Sequence, residues 1–326
     1  MSPRAPDPDP DPQERTGRGD TADLAERLVA AEAILRATAG PRLRTSFPLA
    51  PLTSFRIGGP AALFLEAEHD ADLAGVSDAV RATGVPWTVI GKGSNVLVSD
   101  AGFAGLVLKL GRGFRWTARD GARVRAGGSM HLPALAGVAL AHALAGIEFG
   151  VAIPASLGGA VRMNAGAHGH SMHEVLETLE LFSMTDGARR PLRAEEAGFR
   201  YRRSDLPGGT LVIGATVRLR PGEQRSIRAL MEEARAWRRT TQPLAEPNCG
   251  SVFKNPEGEH AARLVEAVGG KGLSVGGATV SQKHANFIVA RPGASAADVL
   301  GLIDLVKGRV RDGFGVDLET EVELVG

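Results

Sequence analysis

A chain of 326 residues, 43% hydrophobic and 23% charged, has an ordinary globular composition and exceeds what one core usually organises, so two or three lobes are expected. Its formal net charge of +1 supplies no field that would attract nucleic acid. The single cysteine, Cys249, excludes an intrachain disulfide and leaves no Cys-based zinc set, so no metal is expected.

In chain order, residues 1–20 (MSPRAPDPDPDPQERTGRGD) hold five prolines, a D-P repeat and no apolar h-region. They read as a disordered tail without a secretory signal, and a cytoplasmic location is expected. A helix over 21–37 leads into the first lobe. Leu73, Val76 and Val80 predict a helix over 72–83, which Gly84 and Pro86 stop before the β-prone run 87–90. The loop 91–95 (Gly-Lys-Gly-Ser-Asn) and the apolar run 96–98 form a strand-loop-strand cradle whose amides and Ser94 hydroxyl can coordinate a diphosphate. It lacks the third glycine and the following helix of a Rossmann fingerprint, and no P-loop pattern occurs.

Short strand-like runs dominate residues 114–220, among them 122–126, 176–182 and 210–219. The alanine-rich stretch 130–147, interrupted by His131, Pro133 and His142, reads as a buried helix starting near Pro133 rather than a membrane span. Residues 153–169 (IPASLGGAVRMNAGAHG) place Gly158, Gly159 and Gly166 among small residues, so this backbone can approach a flat or anionic ligand; a structural turn under a sheet is the competing reading. A helix over 226–239, a Pro-bearing linker over 242–248 and helices over 257–268 and 295–312 complete an α+β reading, the last opening with Ser295-x-x-Asp298. No internal repeat occurs. Near the C-terminus a period of two puts Val316, Leu318, Val322 and Leu324 on one face and the acids on the other, which by pattern alone is a solvated strand face.

Six motifs follow one another: TSFRIGGP from Thr53, GKGSNVLVSD from Gly91, IPASLGGAVRMNAGAHG from Ile153, Tyr201-Arg202-Arg203-Ser204, GSVFKNP from Gly250, and LETEVELVG at the C-terminus. With this order, the chain from about residue 46 to residue 326 resembles the UDP-N-acetylenolpyruvoylglucosamine reductases, flavoproteins of bacterial cell-wall synthesis also called UDP-N-acetylmuramate dehydrogenases. The resemblance implies a lead-in over 21–54 and a two-lobed FAD-binding unit of the p-cresol methylhydroxylase type over 55–113 and 114–222. A C-terminal α+β substrate-binding lobe over 223–326 would follow. It implies noncovalent FAD, since the first glycine loop has no histidine. The flavin would lie among Gly91, Gly93, Ser94 and Asn95 on one side and Ile153, Pro154, Gly158, Gly159, Asn164 and Gly166 on the other, with Arg56 nearby. NADPH and UDP-N-acetylenolpyruvoylglucosamine would be the substrates of a monomer without nucleic-acid or membrane partners.

The chemistry so implied reduces an enolpyruvyl ether to a lactyl ether in peptidoglycan precursor synthesis. Hydride reaches the β-carbon from reduced flavin, and the α-carbon, gaining carbanion character, takes a proton. Arg202 matches the family arginine, whose guanidinium suits a carboxylate gaining charge; outside the motif it would be a surface arginine beside Arg200 and Arg203. Ser251 matches the proton donor, a very weak acid unless Lys254 or a water relays to it; outside the motif it would be a turn former. Cys249, two residues away, is taken as incidental. Glu321 matches the third member, a choice among Glu319, Glu321 and Glu323 that the pattern itself does not make.

Tyr201, Gln242, Lys254, Asn255, His284 and Asn286 are implied as substrate contacts, His284 being equally readable as a structural histidine. Because Tyr201 is the only tyrosine, the chain resembles the shorter class without a tyrosine lid, and Ala155 and His168 stand where Gly and Tyr are expected. Two other readings stay open, a flavin oxidase or dehydrogenase of the same fold acting on another hydroxy acid, and a noncatalytic flavin-binding module.

Overall fold

Proline is tolerated in the first turn of a helix, where its missing N–H has no partner to lose, and α1 (Pro12–Ala39) opens on one. The computed structural model describes the backbone of residues 12–326 and the side chains from residue 22. Of the expected tail, residues 1–11 therefore lie outside the described residues. Residues 12–20 are helical rather than tail, because propagation from an existing turn adds one hydrogen bond per residue fixed. α1 buries Ala31, Leu35 and Ala39 against Leu73, Val76 and Ala79 of α2 (Asp70–Thr83).

The first lobe begins earlier than residue 55. β1 (Leu43–Pro48) pairs antiparallel with β2 (Pro60–Ala67), so the lead-in supplies an edge strand. β3 (Trp87–Val89) and β2 both run parallel to β5 (Phe103–Leu110), giving the order β1-β2-β5-β3, while β4 (Val96–Val98) leaves this sheet.

The second lobe holds β6 (Thr117–Asp120), β7 (Arg123–Gly127), α3 (Leu132–Ala141), β8 (Leu144–Ala145), α4 (Leu157–Arg162), β9 (Gly166–Ala167) and β10 (His170–Ser171). β11 (Leu176–Ser183), β12 (Arg189–Arg193), β13 (Thr210–Arg218), β14 (Arg220–Pro221) and α5 (Gln224–Thr241) complete it. Its antiparallel sheet has the order β12-β11-β13-β7-β6. Val124, Leu179 and Val217 pack with Leu132 and Leu135 of α3, Leu157 and Val161 of α4, and Ile227 and Met231 of α5. α5 is thus part of this lobe's core, and the boundary expected at 222 moves past Thr241. α3 ends before residue 147 because Ala143 (φ 50°) and Gly146 (φ 125°) turn the chain into the β8–β14 ladder.

The third lobe consists of α6 (Ala261–Ala267), β15 (Ser274–Val275), β16 (Ala278–Val280), β17 (Ile288–Ala290), α7 (Ala296–Phe314) and β18 (Glu323–Val325). α6 starts four residues later than expected, where Asn255 Oδ1 accepts the Ala261 N–H at 3.1 Å. Ser295 and Asp298 form the capping box of α7. The core, built on Leu264, Val265, Ile288, Leu302 and Ile303, also takes Phe55, Ile57 and Leu97 from the first lobe. β18 pairs parallel with β4, setting Glu323 opposite Val96 and so joining the end of the chain to the first glycine loop. The expected period of two fails here: Leu324 is 58% exposed, whereas the Glu321 side chain is only 18% exposed. No described helix is long and apolar enough to cross a membrane.

Candidate active site

Two glycine-bearing segments face each other across a cleft of about 1090 Å³, which the third lobe closes on one side. Arg56, Gly91, Gly93, Ser94 and Asn95 line it from the first lobe, and Ile153, Pro154, Gly159 and Gly166 from the second. A connecting pocket of about 460 Å³ includes Gly158. The glycines are required by close approach. Gly93 is left-handed (φ 61°) and a Cβ there would overlap the Leu52 carbonyl, while a Cβ on Gly91 would lie 2.5 Å from Ser156 Oγ. The N–H groups of Lys92, Gly93 and Ser94 have no protein acceptor among the described residues, the arrangement of an anion-binding nest. An FAD diphosphate fits this donor set, and the apolar and small residues from Ile153 to Gly159 leave room for a flat ring.

The second segment is not all loop. Residues 157–162 form α4, whose N-cap Ser156 accepts from Gly159 N–H at 3.4 Å. Asn164 is buried and outside the cleft: its Nδ2 donates to Arg200 O at 2.8 Å and its Oδ1 accepts from His173 N–H at 3.0 Å. It braces the Arg200–Arg203 turn, which corrects the expectation of a cofactor contact; a residue at φ 44° suits asparagine.

Arg202, Ser251 and Glu321 all line the cleft. Arg202 Nε donates to Glu321 Oε1 at 3.0 Å and its Nη2 to Gly166 O at 2.8 Å, with both side chains under one-fifth exposed. Its backbone is left-handed (φ 52°), turning the guanidinium away from the exposed Arg200 and Arg203, which pair with Asp205. Burial holds the Glu321 carboxyl above the ordinary carboxylate range, against the pull of Arg202 and Lys254. Glu319, by contrast, is exposed and salt-bridged to Lys254, and Glu323 is exposed on β18. Of the three acids, Glu321 and Glu323 both line the cleft, and Glu321 is the one that is sheltered and paired with Arg202.

Ser251 sits one residue before Val252, whose carbonyl accepts the Glu321 N–H at 2.7 Å, and a bridge pairs Phe253 with Thr320. The Ser251 hydroxyl makes no protein hydrogen bond among the described residues. Lys254 lines the cleft but its ammonium is taken by Glu319 rather than Ser251. Cys249 also lines the cleft, but it is 2% exposed, and burial pushes its thiol far up, which disfavours the thiolate.

The expected substrate contacts divide. Gln242 lines the cleft and its Oε1 accepts from Arg238 Nε at 2.9 Å. Tyr201 is 53% exposed; the Arg202 guanidinium lies 5.0 Å from its ring centroid, and its hydroxyl is 3.4 Å from the Asn255 N–H. Asn255, His284 and Asn286 do not line the cleft. Asn255 caps α6, and His284 Nδ1 accepts the Asn286 N–H at 3.2 Å with its ring edge-on to Phe287. Burial and Lys271 lower the His284 pKa, leaving a neutral structural histidine. Asn286 accepts the Phe253 N–H at 2.9 Å and donates to its carbonyl at 2.8 Å, so it clamps the segment bearing Ser251. Ala155 lines the cleft, and His168 packs edge-on against Trp237.

Several cleft residues escaped the sequence reading. Arg238, one helical turn before Gln242, is a signal the i,i+4 spacing carried. Arg162, which donates to Thr210 O at 2.5 Å, and His131 of the adjoining pocket come together only through the second-lobe sheet. Among the described residues no group of three or more His, Cys, Asp or Glu could hold a metal.

A family model for the C-terminal domain of UDP-N-acetylenolpyruvoylglucosamine reductase matches residues 242–325, and an FAD binding domain model matches residues 61–190. The UDP-N-acetylenolpyruvoylglucosamine reductase of Heliobacterium modesticaldum is 47% identical over 281 residues, 86% of this chain and 89% of its own length. That of Anoxybacillus flavithermus is 42% identical, covering 90% of this chain and 98% of the relative. The crystal structure of the Thermus caldophilus reductase matches with a TM-score of 0.75 at 36% identity, covering 87% of this chain and 98% of that one. The two-lobed FAD-binding unit with its C-terminal lobe, the cleft between them and these likenesses make this chain a member of the UDP-N-acetylenolpyruvoylglucosamine reductase family of FAD-dependent oxidoreductases.

Proposed function

We propose that the chain reduces UDP-N-acetylenolpyruvoylglucosamine to UDP-N-acetylmuramate with NADPH. The observation that carries this is the Arg202–Glu321 pair, sheltered in a cleft that Ser251 also lines with a hydroxyl uncommitted among the described residues. When bound, FAD supplies hydride transfer. Loop 91–95 would hold its diphosphate, and residues 153–159 would pack against it. Arg202 keeps Nη1 free of protein acceptors among the described residues, available to the substrate carboxylate as charge builds there. Glu321, kept protonated more readily by burial, is suited to share a proton with that carboxylate, and Ser251 would donate to the α-carbon. Lys254 and Gln242 on the cleft wall suit the UDP-sugar; Tyr201 does not line the cleft and packs beside Arg202.

The test is spectrophotometric. FAD-loaded protein should oxidise NADPH when UDP-N-acetylenolpyruvoylglucosamine is added; no oxidation, with turnover on a hydroxy acid instead, would favour a flavin oxidase. The flavin should also be releasable. No described histidine lines the larger cleft and its one cysteine holds its proton, so acid denaturation is expected to leave intact FAD in the supernatant. Yellow colour pelleting with the polypeptide would contradict this.

A further inference from the structure

The first glycine loop grips both segments that carry the reacting residues. Asn95 Nδ2 donates to the main-chain oxygen of Glu321 at 2.9 Å, and Asn95 O accepts the Glu323 N–H at 3.0 Å. One residue therefore holds the last strand on either side of Val322, and β4, directly after it, continues as the partner of β18. On the loop's other side, Gly93 O accepts the Ser54 N–H at 2.9 Å. The Ser54 hydroxyl reaches Asn248 O at 2.5 Å, three residues before Ser251.

This geometry differs from that of a residue serving only the cofactor, because an Asn95 amide proton is committed to the strand. Glu321 lies 3.0 Å from Arg202 inside the cleft, and among the described residues its N–H and C=O are held by the Val252 carbonyl and by Asn95. The same loop presents the three acceptor-free amides suited to a diphosphate. We infer that Asn95 is a positioning residue: through the Glu321 carbonyl it holds the Glu321 carboxyl against Arg202, so that ordering of loop 91–95 around FAD sets the acid of the substrate site. The role given to Glu321 rests on the reductase reading; the mechanical tie between loop and strand does not.

Two measurements on the full chain test this. In the first, amide hydrogen exchange is followed with and without FAD: loading should slow residues 319–325 at least about tenfold in the parent. In Asn95→Ala that slowing should vanish while slowing at 153–166 remains. Asn95→Asp, similar in shape without the donor, should behave alike and covers a folding failure of the alanine variant. In the second, stopped-flow absorbance of the FAD-saturated variants should show reoxidation by the enolpyruvyl sugar slowed at least about thirtyfold, and by a larger factor than any change in reduction by NADPH. In a Glu321→Ala background, Asn95→Ala should change reoxidation by less than about threefold, because it acts through that carboxyl. Unchanged exchange at 319–325, loss of FAD by both variants, or an equal penalty in both backgrounds would overturn the assignment. Failure of the parent to use the sugar would instead defeat the reductase reading, leaving the exchange data to decide whether the loop holds the strand.

Discussion

Ser251→Ala is expected to slow transfer to the enolpyruvyl sugar by about two to four orders of magnitude, the usual loss of a general acid, while NADPH still reduces the bound flavin at a near-normal rate. The asymmetry follows from where the hydroxyl sits. It lies in the cleft beside the Glu321 strand, free of protein hydrogen bonds among the described residues, and flavin reduction uses no proton from it. A serine hydroxyl is too weak an acid to work unaided, so its conjugate base must be met by a nearby positive field. Lys254 contributes at a distance, since its ammonium is paired with Glu319; Arg202 is a further cation of the cleft. Cys249→Ala is the control, because burial keeps that thiol protonated and inert, and both half-reactions should match the parent. Rapid reoxidation in Ser251→Ala together with a stalled Cys249→Ala would move the proton source to residue 249.

The ordered motifs made the two glycine loops, Arg202 and Ser251 legible, because each is defined by neighbours within a few residues. The roles of Arg202, Ser251 and Glu321 all came by resemblance, and for Glu321 the surrounding pattern did not even single out the residue. Its burial arises from the β4–β18 pairing and from Asn95, 226 residues away in sequence, and no local period encodes that contact. Asn164 and Asn286 misled for a related reason. Asn164 sits in the second glycine segment and Asn286 two residues after His284, yet their amides satisfy backbone groups of the turns that present Arg202 and Ser251. An asparagine that braces and one that binds have the same sequence signature. The lobe boundary was misplaced because α5 is followed by a proline-bearing linker and preceded by Gly222, so both ends look like junctions; only the packing of Ile227 and Met231 places it in the second lobe.

Arg202→Gln should produce the second large effect, and it should carry a pH signature. Reoxidation by the enolpyruvyl sugar is expected to fall by about two to three orders of magnitude through loss of the cation facing the developing charge, with reduction by NADPH spared. Stability should change as well. Glu321 already titrates above the ordinary carboxylate range because it is buried, so from that range up to its raised value the folded protein holds a proton that the unfolded chain has released. Stability therefore falls as pH rises across this window, and Arg202, by favouring the ionised form, keeps the window narrow. Without Arg202 the window extends upward, and at neutral pH the fold contains a carboxyl that is either protonated at a cost or charged without its partner. Breaking such a sheltered pair costs up to about 3–5 kcal/mol. Thermal melts of the holoprotein should then show Arg202→Gln losing more stability than the parent as pH is raised from about 5 to about 8. Arg202→Gln/Glu321→Gln, having no carboxyl to ionise there, should recover most of the loss and lose the added slope. A slope that persists in the double variant would assign the titration to another group, and equal melting of parent and Arg202→Gln across the range would mean that the pair contributes no measurable coupling to the fold.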